Sequence, residues 1–177
     1  LQLDGNGYVT REAFFQGLAS YIERPEVDGE TISAHFVEHA WMRPQPMRGA
    51  VEGLRRLRSA GLPIGVVTNG GSLNQRKKLT NTGLMQLVDD CVISEDVGTR
   101  KPDSAIFLTA CRRLGIDPVR SWFVGDNPDV DIVGAGQIGC RTIWLKRSIP
   151  WPAEHEPCYT LAVSSLEHAF REILRDA

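Results

Sequence analysis

A chain of 177 residues suits about one domain and can bury roughly 70 % of its unfolded surface. With 42 % hydrophobic residues, 24 % charged residues and a formal charge of −2, it reads as an ordinary globular chain that lacks the basic excess needed to grip nucleic acid. No apolar run approaches the ~18 residues of a membrane span and no signal peptide opens the sequence. The cysteines at 91, 111, 140 and 158 form no metal spacing, so small buried hydrophobes in a reducing cytoplasm are expected.

The first residues, Leu1-Gln2-Leu3-Asp4, include no initiator Met, and a longer parent protein is expected. Up to Pro44 and Pro46 there are two helical patterns and no convincing strand. Thr10 is placed to cap a helix carrying Phe14, Phe15, Leu18 and Ile22, and a second helix would carry Ile32, Phe36, Val37, Ala40 and Trp41. After Pro46 helices and short apolar strands alternate. A helix through Val51, Leu54 and Leu57 stops at Gly61. A buried strand is predicted over residues 63–67, then a helix over 73–82 closed by Gly83. Further strands are predicted at 91–94, 122–124 and 142–145, with helices over 104–114 and 130–137. Ser165 caps a last helix carrying Leu166, Ala169, Phe170 and Leu174. Apolar β-rich runs between helices predict an α/β fold with a parallel sheet. In such sheets the chemistry sits at the carboxyl ends of the strands.

Three strand ends carry polar chemistry. Thr68-Asn69-Gly70-Gly71-Ser72 places a hydroxyl and glycine N–H groups before a helix, a setting that suits an anion or simply a tight turn. In Arg100-Lys101-Pro102-Asp103 the proline disfavours helix at Lys101, leaving a lysine able to neutralise a carboxylate or a phosphoryl oxygen. In Gly125-Asp126-Asn127-Pro128-Asp129-Val130-Asp131, Asp126 and Asp131 are spaced to meet one hard cation such as Mg²⁺, while Asp129 faces solvent or caps the helix.

In this order the segments resemble the haloacid dehalogenase superfamily of hydrolases. Val66 to Gly70 is similar to that family's second motif, Arg100 to Asp103 to the third, and Gly125 to Asp131 to the acidic fourth. The resemblance covers about residues 47–146. It implies a Rossmann-like parallel sheet with flanking helices over 47–177, and a partial α-helical cap over 1–46. It also implies phosphoryl transfer through an aspartyl-phosphate on a small phosphate ester such as a nucleotide or sugar phosphate. Thr68, Asn69 and Gly70 would then hold the phosphoryl group. Lys101 would offset its charge, and Asp126 would bind Mg²⁺ with support from Asp131. Because the halide-releasing members of the family need no metal, the two acids favour a phosphatase over a 2-haloacid dehalogenase.

The family's first motif, a hydrophobic strand ending Asp-x-Asp-x-Thr, has no counterpart. Asp129-Val130-Asp131 belongs to the fourth motif and is followed by no Thr. The missing strand would be the middle of the sheet, so two interior edges are expected to stand unpaired. The chain is therefore expected to be inactive alone, and a binding or regulatory protein that has discarded the nucleophile is the alternative from another class. Two further patterns fall short. Asp4-Gly5-Asn6-Gly7 mimics a calcium loop, but Gln2 and Ala13 stand where its end carboxylates belong. His35-Phe36-Val37-Glu38-His39 matches a zinc-protease pattern without a distinctive third ligand.

Overall fold

The computed structural model describes residue 9 and residues 11–21, 28–39 and 44–177, with the side chains at 11, 37 and 38 left aside. The expectations at Thr10, Ile22, Ala40 and Trp41, and those on the opening calcium-like loop through residue 8, lie outside the described residues. The chain divides into two compact units, Leu1–Pro44 and Gln45–Ala177.

In the first unit, α1 (Arg11–Ala19) packs against α2 (Gly29–His39). Phe15 is buried, with the Phe14 and Phe36 rings 4.9 and 5.3 Å away. The helices approach so closely that a Cβ on Gly29 would stand 2.9 Å from the Gln16 backbone nitrogen. His35 and His39 stack at 4.0 Å, and the His39 Nδ1 meets the His35 carbonyl at 2.8 Å.

The second unit alternates as its apolar pattern requires. It begins α3 (Ala50–Ser59), β1 (Gly65–Thr68), α4 (Ser72–Asn81), β2 (Asp90–Ile93), a one-turn α5 (Ser94–Val97) and α6 (Ser104–Leu114). It continues with β3 (Trp122–Gly125), a π-helical turn over Pro128–Val133, α7 (Gly134–Gly136), β4 (Arg141–Leu145), β5 (Leu161–Val163) and α8 (Leu166–Asp176). Gly61, Gly83 and Gly115 follow their helices at positive φ, where a side chain would be strained. Asp103 and Ser165 cap α6 and α8 through Ala105 N and His168 N.

The helix expected over 130–137 is instead a wide turn followed by a short helix. The Asn127 carbonyl accepts from both Asp131 N and Ile132 N, and the i to i+5 bond opens the turn into a π-helix. Strand β5 was not expected at all. It pairs with β4 from Ile143 against Leu161 to Leu145 against Val163. Cys91 and Cys111 are buried as expected, but Cys140 is half-buried and Cys158 exposed.

Among the described residues all strand pairings are parallel. Strand β1 runs beside β2 from Gly65 against Asp90 to Thr68 against Ile93, and β3 runs beside β4 from Trp122 against Arg141 to Gly125 against Trp144. These form two separate sheets, β1-β2 and β3-β4-β5. Ile106 and Phe107 of α6 are almost fully buried with Val92 of β2, each contributing about 1.5–3 kcal/mol relative to exposure. Under the other sheet, Ile143, Leu145, Val163 and Ala169 cluster, and Phe170 of α8 packs with Leu57 of α3 and Ile64.

Among the described residues, β1 and β3 each pair on one side only. Both remain half-exposed despite apolar sequences, whereas β2 and β4 are mostly buried. A cavity of about 510 Å³ lies between them, lined by Gly65–Val67 of β1, by Trp122–Gly125 of β3 and by apolar side chains such as Leu57 and Phe107. Lys101, Asp126 and Asp131 also line it. The slot is thus an apolar trough that borders the polar strand ends.

Candidate active site

The site begins with Asn69, the first residue beyond β1. Its side-chain amide clasps the backbone of Lys101: Oδ1 accepts from Lys101 N at 2.8 Å and Nδ2 donates to Lys101 O at 3.0 Å. A reciprocal pair of this kind fixes the Lys101 main chain, which lies in a turn joined to Pro102 by a cis peptide. The Lys101 ammonium then reaches Asp131 Oδ1 at 2.6 Å, with the two side chains 13 % and 8 % exposed. It also lies 5.9 Å from the Phe123 ring centroid.

Asp131 is held from its other side. Its Oδ2 accepts from Asp126 N at 3.2 Å and from Asn127 N at 3.1 Å. The π-helical turn makes this possible by bringing residue 131 back over the end of β3. Gly125 leaves the room: a Cβ there would stand 2.7 Å from Asp131 Oδ2, closer than real contacts permit. Asn127 Oδ1 caps the turn through Val130 N at 3.0 Å. Asp131 is therefore a buried carboxylate compensated by one ammonium and two amides, the pattern that makes such burial tolerable.

Asp126 is more open. Its Oδ2 meets the Arg147 guanidinium at 3.2 Å, with the Arg147 and Asp126 side chains 49 % and 40 % exposed. Asp129 is exposed, and His155 Nδ1 lies 3.6 Å from it. The structure thus brings Lys101, Asp126 and Asp131 together and turns Asp129 aside.

The predicted anion loop is partly filled by the chain itself. Gly70 N donates to Ser94 Oγ at 3.0 Å, and Ser72 N, at the start of α4, donates to Glu95 Oε2 at 2.7 Å. The Asn69 amide is engaged with Lys101, so it faces the lysine backbone rather than an open position. Thr68 Oγ1 makes one long contact, 3.4 Å, to the Asn69 carbonyl. Of the three groups expected at an anion, the Thr68 hydroxyl is the least committed. Sequence reasoning missed Arg147; its signal was its place just beyond the carboxyl end of β4, where the strand-end rule directs attention.

The donor set fits a hard divalent cation. It offers the half-exposed Asp126 carboxylate, paired with Arg147 through one oxygen, with the fully engaged Asp131 carboxylate behind it at the same strand end. Among the described residues no group of three or more His, Cys, Asp and Glu side chains comes together for a metal. Water and a substrate phosphate would complete the shell, as is usual for Mg²⁺. Thiolate chemistry is disfavoured in the slot. Burial, with Cys140 close by, pushes the Cys111 thiol up to about 11, and burial raises Cys140 as well.

The sequence profile of haloacid dehalogenase-like hydrolases matches residues 4–139. Among curated proteins, a glyceraldehyde 3-phosphate phosphatase of Methanopyrus kandleri is 36 % identical over 121 residues, covering 68 % of this chain and 51 % of that protein. A pyrimidine 5'-nucleotidase of Escherichia coli is 36 % identical over 142 residues, covering 79 % and 63 %. An (S)-2-haloacid dehalogenase of Pseudomonas fluorescens is 32 % identical over 108 residues, covering 61 % and 47 %. Among solved structures, a Bacillus subtilis HAD-hydrolase bound to magnesium superposes with a TM-score of 0.80 at 25 % identity, covering 97 % of this chain and 76 % of that one. The chain spans about half the length of the first of these relatives.

Proposed function

Because this chain belongs to the haloacid dehalogenase-like hydrolases, we propose that it carries the metal and counter-charge side of a Mg²⁺-dependent phosphatase acting on a small phosphorylated metabolite, a nucleotide or sugar phosphate. The relatives include both phosphatases and a dehalogenase, so membership alone does not choose the reaction. One observation supports the choice: at the end of β3 the Asp131 carboxylate pairs with Lys101 and takes the Asp126 backbone amide, while the Asp126 carboxylate stands half-exposed at the same strand end. Halide release expels a single monovalent anion and does not call for carboxylates that hold a divalent cation. Phosphoryl transfer does, because its catalysis is mostly positioning and charge stabilisation.

In this reading Lys101 offsets negative charge on the nucleophile and the phosphoryl oxygens, held in place by Asn69 and Asp131. The Thr68 hydroxyl donates to a phosphoryl oxygen. Gly70 N exchanges its Ser94 partner for another. Asp126 is the acid that would hold the cation, with Asp131 behind it shaping the loop through the Asp126 and Asn127 amides. Mg²⁺, when bound, would supply positive charge to the phosphoryl oxygens. The 177 residues contain no Asp-x-Asp-x-Thr motif, so the nucleophilic carboxylate is assigned to a strand of the parent protein lying in the slot between β1 and β3, and the 177-residue chain alone is expected to be inactive.

The test uses the parent protein. Asp126→Ala and Lys101→Ala should each abolish Mg²⁺-dependent phosphate release, whereas unchanged turnover in either variant would contradict the assignment. Phosphate release by the 177-residue chain alone would contradict the placement of the nucleophile.

A further inference from the structure

We infer that Arg147 is an exchangeable counter-ion of Asp126, the group a divalent cation must displace to reach that carboxylate; the inference rests on the reading of Asp126 as the metal acid. The two acids at the end of β3 each have one internal cation, but the two pairs differ in kind. Lys101 and Asp131 are almost enclosed, and both Asp131 oxygens are engaged. Removing either partner would strand a buried charge. Arg147 and Asp126 meet through one contact of 3.2 Å with nearly half of each side chain in solvent, where water and salt replace the interaction readily.

The local backbone suits an exchange. Arg147 follows β4 by two residues. The stretch beyond it is tied down by Trp151, whose ring lies 5.4 Å from that of Trp144 and 5.0 Å from that of Tyr159. The Trp151 Nε1 also donates to the His155 carbonyl at 3.0 Å. The guanidinium can therefore swing into solvent on its own flexible stem without unpacking the segment. An arriving cation meets one lightly held carboxylate, Asp126, and one fully engaged carboxylate, Asp131. Charge balance follows: with the cation absent, Arg147 neutralises Asp126, and with it bound, the guanidinium is released at the mouth of the slot.

An exposed pair of this kind should weaken a competing cation about two- to fivefold. The experiment titrates Mn²⁺ into the parent protein and counts the free ion by electron paramagnetic resonance, with Mg²⁺ as competitor. Arg147→Gln should tighten Mn²⁺ about two- to fivefold. Arg147→Lys, which keeps the charge, should remain near wild type. Lys146→Gln removes the same charge from the neighbouring residue, whose ammonium lies 5.8 Å from the Trp144 ring centroid, and should change the affinity less. Unaltered affinity in Arg147→Gln, or equal tightening in Lys146→Gln, would overturn the role of Arg147. Asp126→Asn separates the two layers of the argument. Wild-type Mn²⁺ affinity in that variant would defeat the metal reading itself, as would the absence of saturable binding in wild type and Arg147→Gln alike. Loss of binding in Asp126→Asn with no change in Arg147→Gln would defeat the inference alone.

Discussion

The Lys101–Asp131 pair offers the sharpest test of how this strand end is built. The pair is 2.6 Å apart with 13 % and 8 % of the side chains exposed. Replacing Lys101 by Met keeps most of the volume and removes the charge, leaving a buried carboxylate with only the Asp126 and Asn127 amides. Breaking a buried pair from one side costs about 3–5 kcal/mol. The two remaining amide bonds place the expectation at the lower end, about 3 kcal/mol. With a urea slope of about 2 kcal/mol/M, that lowers the unfolding midpoint by about 1.5 M. Asp131→Asn should cost a similar amount by stranding the ammonium. The double variant Lys101→Met/Asp131→Asn should lose much less than the sum of the two single losses, because it leaves no unpaired charge. The assay is urea unfolding followed by Trp fluorescence and circular dichroism across the double-mutant cycle. Single losses below about 1 kcal/mol, the range of exposed pairs, or strict additivity, would refute the reasoning.

Three other expectations follow from the same geometry. Gly125→Ala should cost about 1–3 kcal/mol by overpacking and displace Asp131, since the new methyl would stand 2.7 Å from its Oδ2; an unchanged urea midpoint would count against the close approach. Asn69→Ala should free the Lys101 backbone clasped at 2.8 and 3.0 Å and raise amide hydrogen exchange at Lys101 about tenfold or more, equivalent to about 1.4 kcal/mol of lost local stability; unchanged exchange would show that Asn69 does not hold the lysine. With an alkylating reagent at neutral pH, exposed Cys158 should react first and buried Cys111 last. Cys111 is neutral in the fold up to about 11 against an ordinary 9.0, so its contribution is present below pH 9 and is lost as pH rises toward 11. Wild type should therefore lose stability there faster than Cys111→Ala, and parallel curves would contradict the thiol's burial.

The order of elements was legible because it rests on local signals. Short apolar runs marked β1 and β2, the glycines at 61, 83 and 115 marked helix ends, and Ser165 marked the start of α8. The strand-end polar residues were legible for the same reason, since each lies in a short stretch with its own chemistry. What escaped the sequence depends on distant partners. Leu161-Ala162-Val163 lies just beyond a proline-punctuated stretch and becomes a strand by pairing with β4. The wide turn at Pro128–Val133 looks helical in pattern, yet the Asp131 carboxylate takes the Asp126 and Asn127 amides and Asn127 O takes two donors. The Asn69 amide is turned onto the backbone of Lys101, 32 residues away, a pairing that no local spacing announces. Arg147 is 21 residues from Asp126, and no local spacing connects them.

The most direct test of the central claim is product identification with the parent protein, offered a panel of sugar and nucleotide monophosphates alongside a 2-haloacid, with and without Mg²⁺. The account predicts Mg²⁺-dependent release of inorganic phosphate that disappears in Asp126→Asn, and no release of halide. Metal-independent halide release, or phosphate release undiminished in Asp126→Asn, would contradict it.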